Sequence, residues 1–436
     1  MQKIVAFYTL GCKLNFSETS TLAREFQEGG FTQAHTPQER SAADIAVVNT
    51  CSVTGDADKK CRYIIRKIHK QNPNAVIAVT GCYAQLKPDE IAQIEGVDIV
   101  LSNNNKAQLF EKVMSLGAEK AKGGVMVDSC ASSEIINFFA AFSTSDRTRT
   151  FLKIQDGCNY NCTYCTIPLA RGESRSPLIS NVIEQANEIA SKGQKEIVLT
   201  GVNIGDFGRG NNETFFELIL QLDKVEGIER YRISSIEPNL LTDEIIEFCT
   251  KSRKFMPHFH IPLQAGTNKV LGLMRRRYTT EKFSERIAEV RRLMPDTFIG
   301  IDVIVGFPTE TDDDFEATYK LLKELNPAFL HIFPYSVRPN TIAANMDGQV
   351  PQDVKHHRVE RLSKLSNELH RDFCAKFVGQ EVTVLMEAAR KEGEMFGYSD
   401  NYVRVVLPYD KELVGQIIRV KLTHMRDDAT VEAVKL

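Results

Sequence analysis

The stretch DGCNYNCTYCTIP carries the chain's densest chemistry, because Cys158, Cys162 and Cys165 stand there in the spacing C-x3-C-x2-C, directly after the apolar run FLKIQDG. Three thiolates on one short loop can hold three irons of a cubane cluster and leave the fourth iron without a protein ligand. A zinc knuckle would need a fourth Cys or His at close spacing, and none follows. The open iron invites a chelating cofactor. S-adenosylmethionine (SAM) can bind it through its amino and carboxylate groups, and one electron then splits the sulfonium bond to give a 5′-deoxyadenosyl radical.

A second set of cysteines is dispersed. Cys12 follows IVAFYTLG, Cys51 follows DIAVVNT and Cys82 follows AVIAVTG, each just past the end of an expected parallel strand. Open α/β sheets bind ligands at that edge, so three thiols distant in sequence can converge there on a second 4Fe-4S cluster. Cys61, inside an expected helix, and Cys130, Cys249 and Cys374, which have no partners nearby, are expected not to be ligands.

The elements that must hold these residues follow from periodicity. Residues 1–118 alternate short apolar runs with amphipathic stretches and predict an open parallel α/β sheet. Residues 119–147 lose the pattern, as a linker would. From 148 to 377, six apolar runs alternate with helix-length segments and predict a partial (β/α)6 TIM-like barrel, its cysteine loop at the C-terminal strand edge where barrel sites lie. Residues 378–436 hold short, valine-rich strands and predict a small antiparallel β-barrel. Strand-end groups of the larger barrel are then the candidates for holding SAM: Thr200, Gly201, Asn203, Ser235, Glu237 and Gln264, with Tyr164 beside the last cysteine and Val305 and Phe307 flanking the adenine. GRGNNE from Gly208 lacks the third glycine of a dinucleotide fingerprint. His258 and His260 share a strand face and are expected to be a hydrogen-bonded core pair, and Arg275, Arg276 and Arg277 to lie on a solvated helix.

Bulk properties exclude some classes. The 436 residues carry a formal net charge of -3, which neither supports nor excludes RNA, since binding needs a basic face and not a basic average. No run of about 18 apolar residues predicts a membrane span. The start lacks a secretory leader, and ten cysteines are too few for a disulfide scaffold, so a cytoplasmic protein is expected.

At LGCKLN, NTCSVT, TGCYAQ, GCNYNCTYC, ARGESRS, HIPLQAG, DVIVGFPTE and FPYSVRPNT the chain resembles, over essentially its whole length, the methylthiotransferase family of radical SAM enzymes. The resemblance implies that Cys12, Cys51 and Cys82 hold an auxiliary 4Fe-4S cluster involved in sulfur delivery. It also implies that SAM serves both as methyl donor and as radical source, and that the tail is a TRAM domain. Asn340 departs from it, standing where a glycine is expected. The family's substrates are isopentenyladenosine in tRNA, threonylcarbamoyladenosine in tRNA, and an aspartate of a ribosomal protein.

The segment NTCSVTGDADKKCRYIIRK resembles the threonylcarbamoyladenosine group. Its helix offers Lys59, Lys60, Arg62, Arg66 and Lys67 for phosphate contacts, and Arg171 and Arg175 are further RNA candidates. Against RNA, the tail from Val378 has eight Lys or Arg and ten Asp or Glu, which keeps the ribosomal-protein substrate as runner-up. The implied partners are the tRNA anticodon stem-loop and an electron donor such as flavodoxin or ferredoxin, and a monomer is expected. From another class, a zinc-bearing RNA-binding protein without chemistry is the alternative.

Overall fold

The computed structural model describes residues 3–117, 124–144 and 147–436. The first domain is a six-stranded parallel sheet of β1 (Ile4–Thr9), β2 (Thr32–Gln33), β3 (Ile45–Thr50), β4 (Val76–Gly81), β5 (Val97–Leu101) and β6 (Met126–Asp128), ordered β2-β1-β3-β4-β5-β6. Every residue of β3, β4 and β5 is buried, as strands covered on both faces by helices must be. β6 comes from the stretch expected to be a linker. It pairs Ile99 with Met126 and Leu101 with Asp128, but three residues are too few to show a periodicity. Residues 118–123, 145 and 146 of that stretch and its boundary lie outside the described residues.

The second unit is built of β7 (Arg149–Lys153), β8 (Glu196–Thr200), β9 (Arg230–Ile233), β10 (His258–Gln264), β11 (Phe298–Val305) and β12 (Phe329–Pro334). They form two three-stranded parallel sheets joined by parallel bridges between Ser235 and His260 and between Tyr231 and Phe255, giving a six-stranded open barrel. Outward residues such as Leu152, Leu199, Phe259 and Ile301 enter one large apolar core under the helices. The alternating positions of the same strands are polar: Lys153, Arg232, His260, Asp302 and His331.

The tail strands β13 (Glu381–Lys391), β14 (Glu394–Ser399), β15 (Arg404–Pro408), β16 (Ile417–Met425) and β17 (Val431–Lys435) close into a barrel, β13-β14-β15-β17-β16. Its ladder is antiparallel except for β15 with β17, a parallel seam that sequence alternation alone does not reveal. This barrel docks on the larger one through arginines. Arg149 donates to Glu387 (2.9 Å) and the Tyr402 hydroxyl (3.0 Å), Arg232 to the carbonyls of Ser399 and Asp400 (2.8 Å each), and Arg230 pairs with Asp400 at 2.5 Å. Two of the tail's carboxylates therefore balance barrel cations at a domain junction.

The first domain locks to the barrel through a buried ionic network. Glu18, on the helix Lys13–Glu28, accepts from Arg171 (3.0 Å), Lys153 (2.8 Å) and Lys106, while Asp156 pairs with Arg171 (2.9 Å), Lys153 (2.7 Å) and Arg175 (3.1 Å). Burial alone would raise the Glu18 and Asp156 pKa values, but the surrounding cations hold both carboxyls well below the usual range. Arg171 and Arg175 were expected to meet RNA. Arg171 is 1% exposed, and Arg175 is tied to Asp156 and to the carbonyls of Asn137 and Arg171, so neither presents a face to phosphate.

Candidate active site: two cysteine triads and a basic cavity

The radical-type triad sits where β7 ends. Asp156 and Arg175 exchange backbone hydrogen bonds at 2.9 Å, the Cys158 amide donates to Gly172 O (3.1 Å), and the loop is thereby pinned across its base. Each of the three sulfurs accepts one N–H of this chain. Cys158 Sγ takes the Tyr160 amide (3.3 Å), Cys165 Sγ the Ile167 amide (3.4 Å), and Cys162 Sγ the Arg276 guanidinium (3.2 Å). Burial pushes Cys158 up to about 11 and Cys165 up to about 12, so a metal must displace protons to bind there.

Arg276 was expected on a solvated helix. Its side chain is 4% exposed and pairs with Glu237, one of the SAM candidates. A run of three arginines does not show which one turns inward, and the spacing carried no signal for it. Arg277 instead lies over the Tyr160 ring at 4.0 Å.

The strand ends carry buried polar groups. The Ser234 hydroxyl is buried without a partner among the described residues, and the buried Asn203 side chain has the Asp206 carboxyl as its polar neighbour. Buried polar groups are nearly always bonded, so the free hydroxyl fits a polar ligand beside the triad. Other candidates fare differently. The Thr200 hydroxyl is committed to Val198 O (3.0 Å), Ser235 bridges to His260, and its neighbour Ser234 holds the free hydroxyl. Gly201 packs against Gln155, whose side chain accepts from the amides of Val202 and Asn203. Gln264 has φ 70° at a β-bulge, a strained conformation of the kind kept at functional sites. Phe307 meets Tyr164 edge-on (6.4 Å) and Tyr335 (5.6 Å), an apolar wall beside the cysteine loop, while Val305 is fully buried in the core.

The dispersed cysteines share one edge of the sheet. Cys12, Cys51 and Cys82 follow β1, β3 and β4, which are neighbours in the sheet, and Thr50 pairs with Gly81, so Cys51 and Cys82 are the next residues in register. Gly11 has φ 99°, and a Cβ there would lie 2.8 Å from Cys51 Sγ, so only glycine lets the Cys12 loop approach Cys51 this closely. Burial raises Cys51 to about 12 and also raises Cys82, opposed there by the nearby Arg171. The ionic network behind them holds four cations against two carboxylates, a positive excess suited to thiolates.

From the barrel side, Arg338 reaches the Ser52 hydroxyl and Asp58 (2.7 Å each), just past Cys51. Two residues on, Asn340 takes φ 65°, so the turn expected to need glycine is kept by a residue that tolerates the left-handed region. Arg338→Ala is expected to leave Asp58 buried without its cation, loosening the Cys51 loop. Reconstituted protein should then lose iron from the dispersed triad while retaining SAM-dependent 5′-deoxyadenosine formation, as iron and nucleoside assays will read.

A cavity of about 1310 Å3 opens beside Cys12, between the first domain, the barrel and the tail. Seven lysines and arginines line it against one acidic residue, Glu387, although the chain as a whole is slightly acidic. Of the helix residues expected to touch phosphate, only Lys60 lines it. Lys59 pairs with Asp56, Arg62 with Glu90 and Tyr83, and Arg66 and Lys67 are exposed elsewhere. Nor do His258 and His260 form a pair. His258 packs on Tyr402 (4.5 Å) and lines the cavity, whereas His260 bonds Asp302 (2.6 Å) and faces His331 (4.8 Å).

Comparison with known proteins agrees with this architecture. Residues 152–322 match the Radical SAM superfamily, residues 4–102 the Uncharacterized protein family UPF0004, and residues 375–431 the TRAM domain. The fold is shared with the radical SAM methyltransferase TsrM from Kitasatospora setae (TM-score 0.59, 12% identity, 89% of this chain and 79% of that one). These features define a radical SAM enzyme with a domain added at each end.

The chain is 43% identical to the threonylcarbamoyladenosine tRNA methylthiotransferase of Bacillus subtilis, over 96% of this chain and 93% of the relative. It is 33% identical to the tRNA-2-methylthio-N(6)-dimethylallyladenosine synthase of Aquifex aeolicus, over 97% and 96%. It belongs to the radical SAM tRNA methylthiotransferase family, which implies SAM and a 4Fe-4S cluster. No helix among the described residues is long and apolar enough to cross a membrane.

Proposed function

We propose that the protein places a methylthio group on carbon 2 of threonylcarbamoyladenosine beside the anticodon of tRNA, using two SAM molecules and two 4Fe-4S clusters. The observation that carries this is the basic, aromatic-lined cavity that opens directly on Cys12. Cys158, Cys162 and Cys165 would hold one cluster and Cys12, Cys51 and Cys82 the other. When bound, the first cluster with SAM supplies an oxidant able to take hydrogen from an inert aromatic C–H, and the second supplies the sulfur.

The chain's own groups do the rest. Arg276 holds Cys162 Sγ and Glu237 in one geometry, and the Asn203 amide and the unpaired Ser234 hydroxyl offer polar atoms to the cofactor. Tyr164, Phe307 and Tyr335 wall the loop with apolar surface. Tyr8, Phe16 and Phe151 give the cavity aromatic surface for an unstacked base, with Arg147 lying over the Phe16 ring at 4.1 Å, and the exposed Arg40 and Lys60 suit backbone phosphates. We expect the protein to act in the cytoplasm as a monomer, reduced by a flavodoxin or ferredoxin.

The test is anaerobic incubation of reconstituted protein with SAM, a reductant and tRNA bearing either threonylcarbamoyladenosine or isopentenyladenosine, with mass spectrometry of the nucleosides. A methylthio product on the threonylcarbamoyl nucleoside alone is expected. Product on the isopentenyl nucleoside alone would move the protein to the sister activity. SAM cleavage with neither tRNA modified would leave the ribosomal-protein aspartate as the substrate to try.

A further inference from the structure

Lys13 follows Cys12 and opens the helix Lys13–Glu28, whose first turn holds no acidic residue. A lysine at a helix N-terminus adds its charge to the positive end of the dipole, which is unfavourable unless an anion is near. Its side chain lines the cavity, and its amine forms no ion pair among the described residues: Asp302 and Tyr402, which act on it at longer range, are already bonded to His260 and to Arg149. Two neighbouring cations of the cavity are already balanced. Arg149 is held by Glu387 and Arg232 by Glu196 at 2.8 Å. His258, 8% exposed, lines the same space with Nδ1 unpaired, a second group left waiting for a polar partner.

We propose that Lys13 is a specificity-determining residue that receives the carboxylate of the threonyl substituent, with His258 beside it for the substituent's remaining polar groups. This rests on the threonylcarbamoyladenosine reading. The two tRNA substrates differ in this respect, since an isopentenyl group is uncharged and a threonylcarbamoyl group ends in a carboxylate. Both N6, which bears the substituent, and carbon 2, the reacting atom, lie on the pairing edge of adenine. A base offering carbon 2 to the sulfur held near Cys12 therefore directs its N6 substituent past that cysteine, within reach of the next side chain. A backbone phosphate is the other anion a lysine could take, but phosphates stay with the strand while the carboxylate travels with the extruded base.

The test compares reconstituted wild-type, Lys13→Gln and Lys13→Arg proteins on anticodon stem-loops carrying threonylcarbamoyladenosine as the free acid or as its methyl ester, which removes one charge and leaves every phosphate in place. A charge-assisted bond of this kind predicts that wild-type kcat/KM for the acid exceeds that for the ester by roughly 10- to 100-fold. Lys13→Gln should bring the two to near equality, chiefly by raising KM for the acid, and Lys13→Arg should restore most of the preference. Iron content confirms that the variants are loaded. The assignment is overturned if wild type uses acid and ester alike, or if Lys13→Gln slows both equally, which would tie Lys13 to phosphate or to the cluster. Failure of the parent reading looks different: wild type would then modify neither threonylcarbamoyl substrate while acting on the isopentenyl stem-loop.

Discussion

Arg171→Met is expected to destabilise the protein by about 3–5 kcal/mol, the cost of leaving Glu18 and Asp156 buried with part of their positive surroundings removed. Both carboxylates are almost fully shielded from solvent, so water cannot compensate the loss. Denaturant unfolding at neutral pH reads the effect directly. The pH dependence has a fixed sign. Both carboxyls titrate lower in the folded protein than in the unfolded chain, so the network's contribution is present above the unfolded value of about 4 and is lost as pH falls through the folded values. Wild type should therefore lose stability steeply below about pH 4, and Arg171→Met should lose less over the same interval. Parallel acid limbs for the two proteins would show that the network does not carry this stability.

Arg276→Met is expected to lower the rate of SAM-dependent 5′-deoxyadenosine formation by roughly 100-fold, the scale on which hydrogen-bonded partners of metal ligands affect activity. The substitution removes the donor to Cys162 Sγ and the cation that pairs with Glu237, whose carboxyl burial pushes upward against that cation. Hydrogen bonds to cluster sulfurs raise a cluster's potential, so the variant should also show a more negative midpoint for the radical-type cluster at unchanged iron content. An unaltered midpoint and rate would remove Arg276 from the site.

The cysteine sets were legible because each lies beside an apolar run whose end fixes its place. GCNYNCTYC follows β7, and the endings of IVAFYT, IAVVNT and VIAVTG mark neighbouring strands. The strand β6 within the expected linker left no signal because it is only three residues long, too short to show an alternation. Arg171 and Arg276 were misplaced for one physical reason. A basic side chain beside a glycine or in a basic run has the sequence signature of a solvated or phosphate-binding group, and burial is decided by carboxylates elsewhere in the chain, Glu18 for one and Glu237 for the other. Lys13 was hidden by the motif that contains it, since LGCKLN draws attention to its cysteine. The tail's acidic excess weighed against RNA, yet Glu387 and Asp400 sit at the domain junction and say little about the barrel's free surface.

The central claim is a division of labour between two cysteine triads, and one measurement tests it most directly: iron, 5′-deoxyadenosine and methylthio product, determined together for the wild type and for the variant with Cys12, Cys51 and Cys82 all changed to alanine. The wild type should hold about eight irons, four per cluster. The variant should hold about half as many, still cleave SAM, and form no methylthio nucleoside. Methylthio product from that variant, or wild-type protein that loads only one cluster and is fully active, would contradict the account.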